Sequence, residues 1–321
     1  MSSAPQLDVK NLKSYFYTEA GVAKAVDGVS FSLRKGETMG IVGESGSGKT
    51  VTALSIMRLV NWPGRIVSGE IIFEGEDLMK KSPAEMTHLR GKRISMIFQD
   101  PTASLDPVFR VGDQIAEVFR IHQGMNGGRA KEEAIKMMDL VGIPSAKERY
   151  GVYPHQFSGG MRQRIMIAMA LACNPSLLIA DEPTTNLDVT IQAQILELMM
   201  SLKQKLGSSI LLITHDMGVI AETCDSVAVM YAGEIVEYAD TERCFHDTKH
   251  PYTIGLLNCI PRGKRGKELI PIKGSIPDLI TPPSGCKFHL RCPYAMKICT
   301  DVKPELKQTT EGHLVACHLF D

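Results

Sequence analysis

The sequence predicts an α/β fold built on a mostly parallel sheet, and three observations carry that expectation. Thr38-Met39-Gly40-Ile41-Val42 is a short apolar run that reads as a buried strand, and it runs directly into Gly43-Glu44-Ser45-Gly46-Ser47-Gly48-Lys49-Thr50. The apolar spacing from Thr50 to Met57 then suits a helix. Further on, Ser176 to Ala180 and Ser209 to Ile213 are continuous apolar runs of the kind found inside a parallel sheet, separated by a helical pattern from Ile191 to Leu206.

Taken in order, Leu7-Asp8-Val9 and Leu12 to Tyr17 alternate as strands do, and Val29 to Leu33 follows. Together they predict an N-terminal antiparallel β subdomain, with Lys35-Gly36-Glu37 as the turn into the strand at 38–42. Gly69 to Gly75 is a further short strand closed by a glycine turn, and Ile94 to Phe98 is a buried strand ending at Gln99. The period then changes to a helical one from Val111 to about Gly142, broken by Gly124-Met125-Asn126-Gly127-Gly128. This reads as a helical subdomain, about 102–156, inserted in the α/β core. Val227 to Met230 and Glu234 to Glu237, joined across Ala232-Gly233, predict a hairpin.

Beyond Pro261 the composition shifts to a basic linker, Arg262 to Lys267, and then to Pro271, Pro277, Pro282, Pro283 and Pro293. A boundary is expected there, giving a main domain over 1–261 and a small irregular C-terminal domain over 262–321. So short and proline-rich a segment needs a staple to hold it together.

The whole chain has 321 residues with 36 Lys plus Arg against 36 Asp plus Glu, so no global positive field argues for a nucleic-acid partner. The most apolar run, Ile165 to Cys173, is far short of the ~20 residues a bilayer span needs. The N-terminus, Met-Ser-Ser-Ala-Pro-Gln, lacks the basic segment and apolar core of a secretory signal. The expectation is a cytoplasmic protein whose membrane attachment comes through partners.

Residues 43–50 match the phosphate-binding loop, Gly, four residues, then Gly-Lys-Ser/Thr. A tight glycine turn between strand and helix lets backbone N–H groups converge on a polyphosphate, and the helix N-terminus adds partial positive charge. Lys49 is placed to reach the β- and γ-phosphates and the Thr50 hydroxyl to bind magnesium. Leu177 to Ala180 leads into two adjacent carboxylates, Asp181 for the magnesium and Glu182 to polarise an attacking water. Phe157-Ser158-Gly159-Gly160-Met161-Arg162-Gln163-Arg164 opens a helix with a serine cap and two glycines, exposing N–H groups to an anion.

The phosphate loop, Gln99, Ser158-Gly159-Gly160, Asp181-Glu182 and His215 occur in the order found in ATP-binding cassette ATPases, and the chain resembles that family from about 7 to 245. The Ser-Gly-Gly-Met-Arg-Gln-Arg spelling, the Glu-Ser-Gly-Ser-Gly-Lys loop and the cysteine tail narrow the resemblance, over essentially the whole chain, to ATP-binding subunits of bacterial dipeptide/oligopeptide importers. The resemblance implies roles. Gln99 would sense magnesium and the attacking water and link the sheet to the helical insertion. Ser158, Gly159 and Gly160 would contact the γ-phosphate held by the opposite subunit, with Met161 where Gln is commoner. Thr185-Asn186-Leu187-Asp188 matches the loop after the acidic pair, with Asn186 where Ala is commoner. His215 would be the switch histidine on the γ-phosphate. Phe16 lies in the register of the adenine-stacking aromatic, with Tyr15 and Tyr17 as adjacent candidates.

Cys286, Cys292, Cys299 and Cys317 crowd the tail, with five, six and seventeen residues between them. Four soft thiolates suit zinc or an iron–sulfur cluster, and the tight pairs usual for zinc are missing. The resemblance favours a structural 4Fe-4S cluster on these four cysteines, with zinc as the alternative. It further implies ATP and Mg2+ as cofactors, a second ATPase subunit (a heterodimer before a homodimer), two transmembrane permease subunits and, indirectly, an extracytoplasmic peptide-binding protein. The chain would then sit at the cytoplasmic face of the membrane and power peptide import. The alternatives are import of nickel or another small solute, or, in a different class, a soluble ATPase acting on nucleic acid or ribosomes.

Overall fold

The computed structural model describes residues 4–260 and 271–321. The expected linker at 262–267 lies outside the described residues. The chain divides into two compact units, one formed by Met1–Lys80 with Leu212–Asp321 and the other by Lys81–Leu211.

The first unit opens with β1 (Leu7–Thr18), β2 (Gly21–Leu33), β3 (Thr38–Val42), α1 (Lys49–Ile56), β4 (Gly64–Phe73) and β5 (Glu76–Asp77). An antiparallel sheet of four strands has the order β2-β1-β4-β5, as the alternation in β1 predicts. Leu7 faces Leu33 and Phe73, and Val9 faces Phe31 and Ile71, so one face of the sheet carries a buried apolar layer. Strand β2 starts eight residues earlier than Val29, at Gly21, because its first half pairs with the outer half of β1 rather than burying a run of its own.

The second unit contains α2 (Pro83–Leu89), β6 (Ile94–Ile97), α3 (Pro101–Ser104), α4 (Val111–Gln123), α5 (Gly127–Leu140), α6 (Ala146–Arg149), α7 (Gly159–Leu171), β7 (Leu177–Asp181) and α8 (Val189–Leu206). Strands β6 and β7 pair in parallel, Ile94 with Leu177 through Ile97 with Ala180, and every residue of both is buried. The glycine-rich break falls where expected. Gly124 ends α4 in the left-handed conformation, and the Asn126 side chain caps α5 by accepting from the Arg129 N–H at 3.0 Å. Strand β8 (Ser209–Thr214) begins in this unit and ends in the other.

The first unit resumes with α9 (Met217–Thr223), β9 (Ser226–Tyr231), β10 (Glu234–Asp240), α10 (Thr241–His246), α11 (Pro251–Asn258), α12 (Ile298–Asp301), β11 (Lys307–Thr310) and β12 (His313–Val315). Strand β3 runs parallel to β9, whereas β9–β10, β10–β12 and β12–β11 are antiparallel. This part of the sheet is therefore mixed, not mostly parallel. The cause is the two-residue turn between β9 and β10, where Ala232 (φ 46°) and Gly233 (φ 85°) both take positive φ and reverse the chain.

The same strands tie the C-terminal segment to the first unit. Leu314 and Val315 pair with Tyr238 and Glu237, so β12 takes up the edge of β10, and the tail belongs to the first unit rather than forming a body of its own. An open strand edge carries unpaired N–H and C=O groups, and the tail satisfies them. Its core is shared too: Phe288 packs edge-on to Tyr231 (5.1 Å between ring centroids) and against Tyr252 (5.3 Å), and Tyr231 and Tyr252 meet at 4.7 Å.

Candidate functional site

In the first unit the fully buried β3 delivers the chain to residues 43–48, and α1 carries it away from Lys49. Two glycines are obligatory. A Cβ on Gly43 would lie 2.2 Å from the Met230 carbonyl oxygen, and one on Gly48, which has φ +105°, would lie 2.2 Å from that of Ala25. No side chain caps α1, so its first N–H groups face the loop. The Lys49 ammonium curls back over the loop and donates to the carbonyl oxygens of Gly43 (2.8 Å) and Glu44 (3.0 Å). Ser45, Gly46 and Thr50 are exposed and Ser47 is buried.

Glu44 is tied at both ends. Its N–H donates to the Tyr252 hydroxyl at 2.8 Å, and its carboxylate receives both terminal nitrogens of Arg291, at 2.6 and 2.9 Å. Sequence reading singled out neither Tyr252 nor Arg291. His215, just past β8, is exposed, and the next residue, Asp216, caps α9 by accepting from the Gly218 N–H at 2.7 Å.

Of the three N-terminal aromatics, Tyr15 donates its hydroxyl to Asp27 at 2.7 Å, and Tyr17 lies under the Arg65 guanidinium at 4.0 Å. Phe16 is half-buried over Gly64, where an added Cβ would come within 2.6 Å of its ring. Tyr15 and Tyr17 thus have polar engagements of their own and Phe16 has none of that kind.

In the second unit Asp181 ends β7 and is 2% exposed. Glu182 follows in the left-handed region, at φ 45°, which is uncommon for a side chain of this type. Its carboxylate oxygen Oε2 accepts from the Gln99 amide at 3.1 Å and from the Thr185 hydroxyl at 2.9 Å. The structure therefore brings Gln99, at the end of β6, to the second of the paired carboxylates. Asn186, at φ 65°, suits the turn that follows because its short side chain tolerates this conformation. Asp188 then caps α8 by accepting from the Ile191 N–H at 2.9 Å.

Ser158 caps α7 as expected, its hydroxyl accepting from the Met161 N–H at 3.3 Å. The glycines after it allow close packing: a Cβ on Gly160 would lie 2.7 Å from Ile191 Cγ2 of α8. The Ser-Gly-Gly turn thus sits against the helix that follows Asp181 and Glu182.

The tail cysteines 286, 292, 299 and 317 line one small pocket with His250, Phe288, Tyr294 and His318, and none of the four is in a disulfide. Burial pushes the Cys286 thiol up to about 11 and raises those of Cys292 and Cys317 as well. Among the described residues, no three His, Cys, Asp or Glu stand close enough to hold a single metal ion. That weighs against zinc, which wants four ligands at about 2.0–2.3 Å from one centre. His313 is a packing residue, fully buried against Glu237 at 2.8 Å.

Two sequence families match the chain. The ABC transporter family matches residues 26–185, and the oligopeptide/dipeptide transporter C-terminal region matches 236–299. The oligopeptide transport ATP-binding protein OppD of Salmonella typhimurium is 50% identical over 98% of this chain and 96% of its own length. The dipeptide transport ATP-binding protein DppD of Bacillus subtilis is 52% identical over 98% and 95%. Among solved structures, the dimeric ABC transporter cassette MJ0796 superposes with a TM-score of 0.66 and 25% identity, covering 73% of this chain and 98% of that one.

Proposed function

This chain belongs to the ABC transporter family, and from that premise we propose that it is the ATP-hydrolysing subunit that powers import of oligopeptides or dipeptides through partner membrane subunits. The observation that carries the reading is the site itself: a strand–glycine loop–helix with Lys49 folded over the loop, on a chain about half identical to peptide-transport ATPases along nearly its whole length. No described helix is long and apolar enough to cross a membrane. We place the subunit peripherally, on the cytoplasmic face, held there by two permease subunits.

In this reading the N–H groups of residues 43–50 and the start of α1 bind the β- and γ-phosphates, and Lys49 exchanges its carbonyl partners for phosphate oxygens. Phe16 stacks on the adenine. Thr50, Asp181 and Gln99 would hold magnesium, which supplies charge neutralisation on the β- and γ-oxygens. Glu182, oriented by Gln99 and Thr185, takes the proton of the attacking water. His215 contacts the γ-phosphate. Ser158, Gly159 and Gly160 serve the ATP held by a second ATPase subunit, in a sandwich that closes on ATP and reopens after hydrolysis. A non-identical second subunit is favoured. Gln99 and the helices of the 102–156 insertion carry that motion to the permease.

For the tail we propose a 4Fe-4S cluster on Cys286, Cys292, Cys299 and Cys317. Four thiol ligands around one pocket are the donor set such clusters use, and a polynuclear group spaces its ligands more widely than one ion does. Its role would be to cross-link a segment with little core of its own. Iron, sulfide and zinc analysis of anaerobically purified protein tests this, and metal-free protein would refute it.

The functional reading is tested by co-purification from membranes and by peptide uptake in reconstituted vesicles. Permease subunits in the complex and ATP-dependent peptide uptake are expected. A complex with nucleic acid, or uptake of nickel but not peptide, would overturn it.

A further inference from the structure

We infer that Arg291, in the C-terminal segment, is a positioning residue of the phosphate loop that sets the affinity for ATP. The inference rests on the ATPase reading above and adds to it a residue outside the nucleotide motifs. Three observations carry it.

The first is the contact itself. Arg291 meets the Glu44 carboxylate with both terminal nitrogens, at 2.6 and 2.9 Å, across 247 positions of sequence. Paired planar groups of this kind fix orientation as well as distance. The second is that the arginine is the fixed partner. Its side chain is 5% exposed against 30% for Glu44, and its Nε donates to the Lys273 carbonyl at 2.9 Å. Its other nitrogens also reach the carbonyls of Ile272 and Gly274 and the Tyr231 hydroxyl, at 3.3–3.4 Å. The third is what Glu44 does in the loop. Its carbonyl accepts from Lys49, and its N–H is held by the buried Tyr252 hydroxyl. Any change in Glu44 is therefore passed to the lysine that the phosphates need.

The chemistry follows from charge. Glu44 puts a carboxylate into a loop whose ligand carries several negative charges, and like charges at such range oppose binding. The guanidinium neutralises that carboxylate and holds it in one orientation, so the loop keeps its shape and Lys49 remains available. Arg291 neither touches the phosphates nor takes part in the phosphoryl transfer.

The test uses the full chain in complex with its partner subunits, with titration of a fluorescent ATP analogue and steady-state ATPase rates. Arg291→Ala is expected to raise Kd and KM for ATP about tenfold, the low end for losing a charge-assisted pair, with kcat changed less than about threefold. Arg291→Lys, which keeps the charge but not the paired geometry, should fall between. In a Glu44→Gln background the same Arg291→Ala substitution should move KM less than about twofold, because the charge it compensates is gone. That loss of coupling separates positioning from general damage to the tail. If Arg291→Ala does not fold, the lysine variant in the two backgrounds gives the same comparison. Unchanged affinity in Arg291→Ala, an equal effect with and without Glu44, or a fall in kcat alone would overturn the inference. A wild-type complex that binds no ATP would instead overturn the ATPase reading on which it stands.

Discussion

The Gln99 amide donates to the Glu182 carboxylate at 3.1 Å, on the same oxygen, Oε2, that accepts from the Thr185 hydroxyl at 2.9 Å. Glu182 also holds a left-handed backbone, φ 45°, immediately after a fully buried strand. Strain of this kind persists only where the surroundings hold it, and it gathers at functional sites. The two donors converge on one carboxylate oxygen and so fix the orientation of the group.

From this arrangement, Glu182→Gln should keep ATP binding and lower turnover by ~10²–10⁴, the usual range for losing a general base. The amide cannot take a proton from water, yet it can still accept from Gln99 through its oxygen. Single-turnover hydrolysis on the assembled complex, read beside nucleotide affinity, checks the split. A rate close to wild type would remove Glu182 from the base role.

Lys49→Ala acts on the other quantity. Lys49 is 5% exposed as a residue and its ammonium donates to the carbonyl oxygens of Gly43 and Glu44, so it is held where it can transfer to phosphate oxygens. Truncating a charge of this kind costs about 2–5 kcal/mol of binding, or ~30- to 4,000-fold in Kd. A nucleotide titration with unchanged affinity would refute the role.

These elements were legible in the sequence because each is local. The strand, glycine turn and helix at 38–57 are contiguous, as are the apolar run and carboxylates at 177–182, and Gly124 and Asn126 punctuate α4 and α5 with their own cap chemistry. Helix α2 carries an equally local signal, the Ser82 and Glu85 capping box. The rest was hidden by distance. Arg291 reads as one more basic residue in a proline-rich tail until the fold sets it on Glu44, and Lys307–Thr310 has too little apolar content to announce a strand. The attachment of the C-terminal segment to the first unit was hidden for the same reason. The segment's fading periodicity reflected dependence on β10 and on the Tyr231–Tyr252–Phe288 cluster, which composition cannot reveal.

A pH-dependent contribution to stability is expected from Glu37 at the entry to β3. Burial by itself would raise its carboxyl pKa, but the Arg34 side chain and N–H and the Ser226 hydroxyl (2.6 Å) all donate to the carboxylate and bring it below the ordinary value of 4.5. A depressed folded pKa means that the unfolded chain binds the proton first. The stabilisation is complete above about 4.5 and is lost as pH falls through the lower folded value. Glu37→Gln should therefore cost about 1–3 kcal/mol at neutral pH. Denaturant unfolding of both proteins at pH 7 and below pH 4 checks this, with the gap narrowing in acid. A gap that stays constant or widens would contradict it.

The Ser158 cap leads to a prediction about assembly. Its hydroxyl is engaged with the Met161 N–H and its carbonyl with the Arg162 N–H, while Ser158 itself stays exposed and the Gly159 and Gly160 N–H groups remain for an anion. If this turn serves the ATP of a second subunit, the chain by itself holds half of each working site. ATP should then bind to the isolated subunit with little hydrolysis, and turnover should rise at least about tenfold on adding the partner ATPase and permease subunits, since preorganised N–H donors at a developing charge are worth ~10²–10³ in rate. Replacing Ser158 with Arg should abolish that rise while leaving the ATP affinity of its own phosphate loop intact, because the substitution blocks a surface that only the opposite subunit's nucleotide meets. Full turnover by the dilute isolated chain, or weaker ATP binding by that chain carrying Ser158→Arg, would show that the turn serves its own loop instead.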